Sequence, residues 1–207
     1  MKLPEIVISA SLLFLFCLAP AHAGGARDLQ RFFNDVTSYS ARFEQQVLDE
    51  NGQLLDASSG IFWIERPGRF RWEYQAPTQQ IIVGTHDTIW IHDVELEQVT
   101  RRASADAIAG TPAALLAGKG DITKSFVLAE LGRRDDLDWV RMQPRKKDAG
   151  FVDIRAGFGD GQLRRLELVD SFDQTTRMYF TDIRENINIP AETFSFTPPA
   201  GIDVIEE

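Results

Sequence analysis

Beyond residue 23 the sequence holds two histidines, His86 and His92, and these are the first side chains to weigh for metal binding or proton transfer. Six positions apart and separated by turn-forming residues, they make neither the i, i+4 pair of a helical metal site nor the alternate-residue pair of a strand site. They read as solvated turn and strand histidines. Gly157-Phe158-Gly159-Asp160-Gly161 has the glycine density of a phosphate-cradling loop. Its spacing is wrong for one and it lies between two strand-like runs, so it reads as a hairpin turn. Carboxylates cluster between Arg133 and Asp138 and at the C-terminus. A pair of them could drive glycoside hydrolysis, but no spacing singles out two, and solubility accounts for them all. Cys17 is the one cysteine, so the chain after it has no thiol nucleophile, thiolate ligand or redox pair. Neither a G-x-S-x-G elbow, a P-loop nor an H-E-x-x-H motif occurs in the sequence. The sequence therefore predicts no catalytic residue, no metal site and no cofactor.

The elements that would position any site are mostly strands. Leu29, Phe32, Phe33 and Val36 fall on one face of a short helix predicted over Asp28 to Val36. From Tyr39 the period becomes two, and Tyr39, Ala41, Phe43, Gln45 and Val47 alternate with polar residues. Asn51-Gly52 is a hairpin signal, with return strands over Leu54 to Asp56 and Gly60 to Glu65. Arg66-Pro67-Gly68 then has type II turn residues, and Phe70, Trp72 and Tyr74 share one face of the next strand, which Pro77 ends. Gln80 to Val83 and Thr88 to His92 form a further hairpin, followed by Glu95 to Arg102. Thr111-Pro112 starts a brief helix over Ala113 to Ala117, stopped by Gly118 and suited to a lid rather than a scaffold. Strands resume over Ser125 to Leu131, Trp139 to Gln143, Phe151 to Ala156, Leu163 to Val169 and Arg177 to Ile183, with Phe194 to Thr197 as a last one. About ten consecutive strands with short turns argue for a mainly β protein, one antiparallel sheet curled into a barrel or half-barrel.

Residues 1–23 stand apart. Lys2, the apolar run Ile6 to Leu18 and Ala21-His22-Ala23 form the pattern of a signal peptide cleaved before Gly24. At about 13 residues the run is short for a membrane span, which leaves an uncleaved anchor as the other reading. The remaining residues 24–207 read as a single domain. A formal charge of −9 without a basic block argues against nucleic acid as a partner. Fourteen Phe and four Trp must instead be buried in a core, a cavity or an interface.

Arg66-Pro67-Gly68-Arg69-Phe70-Arg71-Trp72-Glu73-Tyr74 with Pro77 resembles the periplasmic outer-membrane lipoprotein carrier family, LolA. The series Phe43 to Val47, Thr88-Ile89-Trp90, Glu97 to Thr100, Thr111 to Gly118, Gln174 to Thr176 and Phe194 to Pro199 keeps the family's order along residues 24–207. The resemblance implies an unclosed antiparallel β-barrel whose mouth is capped by short α-helices forming a lid over an apolar cavity. It implies a chaperone without enzymatic activity. Such a chaperone takes acylated lipoproteins from an inner-membrane lipoprotein-releasing ABC transporter and hands them to an outer-membrane receptor of similar fold. It also implies the periplasm of a Gram-negative bacterium as the setting. By residue, it implies that Arg66 latches the lid against Phe33, Leu116 and Ala117, and that Val47, Phe70, Trp72 and Ile82 wall the cavity.

On their own terms these residues stay open: the three rings would pack a solid core equally well, and Arg66 would serve as a solvated turn arginine. A carrier of another lipid, such as a glycolipid or other acylated product, needs the same cavity. A stress sensor of similar fold and a hydrolase are the more distant readings. One covered sheet suggests a monomer.

Overall fold

The computed structural model describes residues 24–85, 87–103, 112–118, 120–146 and 150–206. The expected signal segment, His86 and the Thr111 helix cap lie outside them. Helix α1 spans Gly25–Asp35. Strands β1 (Ser38–Leu48), β2 (Leu54–Glu65), β3 (Arg69–Ala76), β4 (Gln80–Gly84), β5 (Thr88–Asp93) and β6 (Gln98–Ala103) follow. Helix α2, Pro112–Ala117, leads to β7 (Phe126–Arg134), β8 (Leu137–Pro144), β9 (Phe151–Gly159), β10 (Gln162–Asp170), β11 (Thr175–Glu185) and β12 (Asp203–Glu206).

All twelve strands form one sheet in the order β12-β6-β5-β4-β3-β2-β1-β11-β10-β9-β8-β7. Two meanders, β1 to β6 and β7 to β11, meet where β1 pairs antiparallel with β11, Phe43 opposite Phe180. The sheet stays unclosed, its edges held by β12 and β7. Alternation explains its two faces: along β3, Phe70 and Trp72 are buried while Arg69 and Arg71, which alternate with them, stay partly exposed. The buried faces curl inward around a ladder of rings. Phe62 lies 4.6 Å from Trp72, 5.3 Å from Tyr39 and 5.4 Å from Phe180, centroid to centroid. Such close approach needs gaps in the opposing strand. Opposite Phe70 stands Gly84, where a Cβ would sit 2.0 Å from the Phe70 ring.

Helices α1 and α2 cover the concave face, α1 against β7 to β10 and α2 against β2 and β3. Helix α1 buries Leu29, Phe32 and Phe33, the predicted stripe, but begins three residues earlier than predicted. Its first turn is capped from far away: the Ala26 N–H donates to the Glu130 carboxylate at 2.9 Å, which satisfies an end that local sequence leaves open. Arg31 pins the same helix to the sheet through Glu185 at 2.9 Å and the Gly161 carbonyl at 2.5 Å.

The C-terminal segment departs from expectation. Phe194 to Thr197, expected as a last strand, is not one: Phe194 ends a 3-10 turn over Ala191–Phe194, and Ser195 to Thr197 are irregular. The final strand is β12, which runs parallel to β6. Pro198 and Pro199 explain the delay, since neither can donate to a ladder. En route the segment lays Phe196 over β5, 5.7 Å from both Trp90 and His92. His92 is consequently buried rather than solvated.

Candidate functional site

The site is organised by Arg66, the residue that follows β2. Its backbone N–H donates to the Thr37 carbonyl at 2.8 Å, fixing it beside the entry to β1. Its side chain turns inward and is only 6% exposed. Nε donates to the Gly118 carbonyl at 2.6 Å, one terminal nitrogen to Leu116 at 2.7 Å and the other to Val36 at 2.5 Å. Val36 caps the C-terminus of α1, whereas Leu116 and Gly118 lie at the C-terminal end of α2. Neither helix has a basic residue in its last turn. One guanidinium thus satisfies the open carbonyls of two helices and meets the negative end of each. A planar fork suits this; a point-like ammonium does not.

The cation also lies over rings, 4.5 Å from the centroid of Phe32 and 5.5 Å from that of Phe33. Burial pulls its pKa down to about 10, with Glu185 and Tyr39 opposing, so it remains charged at neutral pH. Its partners are neutral carbonyls, so charge-assisted bonds of about 1.5–3 kcal/mol each are set against a comparable desolvation cost. The net closure energy is a small difference. A further tie, the Gly120 N–H to the Phe33 carbonyl at 3.3 Å, links α1 to the segment after α2.

Beneath the helices lies an apolar void of about 10 Å³, bounded by Leu29, Phe32, Phe33, Leu116, Met142 and Leu166, with Leu115, Ala156 and Leu163. This is room for one water at most. On its own this void is too small for an acyl chain.

The residues expected at the site divide into two groups. Arg66, Phe33 and Leu116 come together in direct contact. Ala117 is buried beside them, but the Gly118 carbonyl next to it is the one that accepts. Phe70, Trp72, Ile82 and Val47 lie on β3, β4 and β1 and none bounds the void. Phe70 and Trp72 are buried in the core, Ile82 packs against it, and Val47 is half-buried near the far end of β1. This void sits over β8 to β10. Met142, Ala156, Leu163 and Leu166 were visible in the sequence only as inward positions of alternating strands. The Val36 and Gly118 acceptors are backbone atoms and leave no side-chain signal.

Two tyrosines give the interior a measurable signature. The Tyr39 hydroxyl donates to the Leu163 carbonyl at 3.0 Å, and burial pushes its pKa up, Glu185 adding to the effect. Burial likewise pushes Tyr74 up to about 12, against its hydrogen bond to Gln45. The stabilisation tied to both hydroxyls is complete below pH 10 and is lost as pH rises above it. Arg66 runs the other way between about 10 and 12.5, where the unfolded chain holds its proton more firmly, and offsets one tyrosine. Stability is expected to fall by about 1.4 kcal/mol per pH unit between pH 10 and 12. Tyr74→Phe should largely flatten that slope in urea titrations; an unchanged slope would place Tyr74 in water.

Comparison with known proteins agrees with this architecture. The family model for outer membrane lipoprotein carrier protein LolA matches residues 34–197. An outer-membrane lipoprotein carrier protein of Dechloromonas aromatica is 44% identical over 207 residues, covering 100% of this chain and 99% of its own. One from Nitrosospira multiformis is 41% identical over 208 residues, with 100% of each chain covered. Among solved structures, an uncharacterized conserved protein from Thermus thermophilus superposes with a TM-score of 0.56 at 12% identity, covering 88% of this chain and 98% of that one. That likeness speaks to the fold alone. The full-length identities and the family match show that this chain belongs to the LolA family of outer-membrane lipoprotein carriers.

Proposed function

We propose that this protein is a lipoprotein carrier that shelters the acyl chains of its cargo under the α1–α2 lid and releases them when the lid recloses. The observation that carries the reading is the three-armed Arg66 contact that joins the two helices above an apolar void. Each methylene kept from water is worth about 0.8 kcal/mol, so an acylated protein needs an apolar escort. A void this small must expand to admit a chain, which separates the helices from Arg66. Loading is therefore opposed by the cost of opening, and unloading is favoured by closure. Binding and release suffice; no bond of the cargo is made or broken.

In this reading residues 1–23 are a signal peptide removed on export, and residues 24–207 work as a monomer in the periplasm. An inner-membrane ABC transporter supplies the cargo and an outer-membrane receptor accepts it. Phe33, Leu116 and Ala117 form the lid side of the latch. Phe70, Trp72, Ile82 and Val47 become cavity wall once the lid lifts and chains spread across β1 to β4. The test is purification from periplasm followed by mass spectrometry of what co-elutes. Triacylated lipoprotein is the expected finding; a glycolipid or another free lipid in its place would reassign the cargo, and a clean apo protein would count against the carrier role.

A further inference from the structure

Trp72 has an indole N–H that is shut off from solvent and meets no acceptor, although the residue is only 2% exposed. A buried donor without a partner destabilises the closed form, and this one is not isolated. Two residues along β3, on the same face, the Tyr74 hydroxyl donates to the Gln45 side-chain oxygen at 3.4 Å. The Gln45 amide donates in turn to the Ser58 hydroxyl, also at 3.4 Å. Both bonds are at the long limit, so the donors are only weakly engaged. The nearby Trp72 indole also favours the ionised Tyr74 hydroxyl, yet completes no hydrogen bond to it. Around the set the wall is aromatic, with Phe43 5.0 Å from Trp72 and 5.2 Å from Tyr74.

We infer that Trp72, Tyr74, Gln45 and Ser58 form a polar subsite for the ester carbonyls of a glycerol-linked diacyl group, an inference that rests on the carrier reading. The chemistry matches: an ester carbonyl accepts and cannot donate, and the set supplies an indole N–H, two hydroxyls and an amide NH₂. The placement matches too. Arg66 and Arg69 mark the latch end of β3, and Tyr74 lies toward its other end, with Gln45 correspondingly far along β1. Chains directed under the lid would leave their ester-bearing ends at this subsite and the attached protein beyond the rim. The unpaired indole N–H of the closed form then gains its acceptor when cargo binds.

The test compares dioctanoylglycerol with dioctylglycerol ether, equal in chain length and differing in the carbonyls, as competitors of a bound fluorescent fatty acid. Wild type should bind the ester about tenfold more tightly than the ether. Trp72→Phe keeps an aromatic ring, and Tyr74→Phe keeps the ring without its hydroxyl. Each should reduce the preference to about threefold, and the double variant should abolish it. Because the preference is a ratio on one protein, a loss of folded fraction cancels. Equal binding of ester and ether by wild type, or a preference untouched by both variants, overturns the subsite while leaving the carrier reading intact. Failure of wild type to bind either lipid overturns the carrier reading and the subsite with it.

Discussion

Replacing Arg66 with leucine is expected to leave a folded protein that loads cargo and fails to hand it on. Leucine keeps apolar volume against Phe32 and Phe33 and removes a charge that is costly to bury, so global stability changes little. The closed lid, by contrast, loses its donors to Val36, Leu116 and Gly118 at once. Leaving three carbonyls unpaired shifts the closed-to-open balance by about 3 kcal/mol, roughly a hundredfold. Opening should begin at α2, because α1 keeps its Arg31 anchors to Glu185 and Gly161. Amide exchange at Gly118 and Gly120 should accelerate, and delivery of a preloaded lipoprotein to a reconstituted receptor should slow at least about tenfold. Arg66→Lys should be intermediate, since an ammonium keeps the charge and loses the fork. Delivery by Arg66→Leu at the wild-type rate, with unchanged exchange, would mean that Arg66 does not latch the lid.

The largest stability loss is expected from Phe62→Ala. Phe62 is fully buried on β2, and its ring meets Trp72, Tyr39, Phe43 and Phe180, so it ties β1, β2, β3 and β11 together. Truncation removes its burial and leaves a cavity that these rings cannot refill, at a cost of about 3–5 kcal/mol. For a chain of this size that lowers the melting temperature by about 10 °C. Phe62→Leu should cost well under half as much, because the site stays filled. A loss below about 1 kcal/mol for the alanine variant in thermal unfolding would show that the ring ladder closes around the gap. Phe62 also separates the two halves of the molecule experimentally. It lies in the ring ladder rather than at the latch, so Phe62→Ala should depress stability without the exchange signature of Arg66→Leu.

These two residues show how unevenly the structure was written into local sequence. Arg66 could be singled out only because its Pro-Gly turn and the aromatic strand after it resemble a family; spacing alone makes it a solvated turn residue. Phe62 sat in a recognisable strand but carried no mark of being the hub, which depends on which strands curl against it. Likewise His92 was read as solvated because its cover, Phe196, comes from a segment a hundred residues away.

What the sequence determined by itself was set by periodicity and turn chemistry. The strand-rich class, the apolar stripe of α1, the brief α2 and the ringed face of β3 all follow from contacts a few residues apart. What only the tertiary structure decided were relations between distant elements. It placed a small apolar void between the helices and β8 to β10, joined β12 to β6 in parallel, and brought Glu130 to the first turn of α1. It also aimed one guanidinium at backbone carbonyls of two helices. The physical reason is common to all of these: backbone acceptors are the same at every residue, and the curvature of a sheet is a property of the packed whole. Neither leaves a local pattern until the chain has folded.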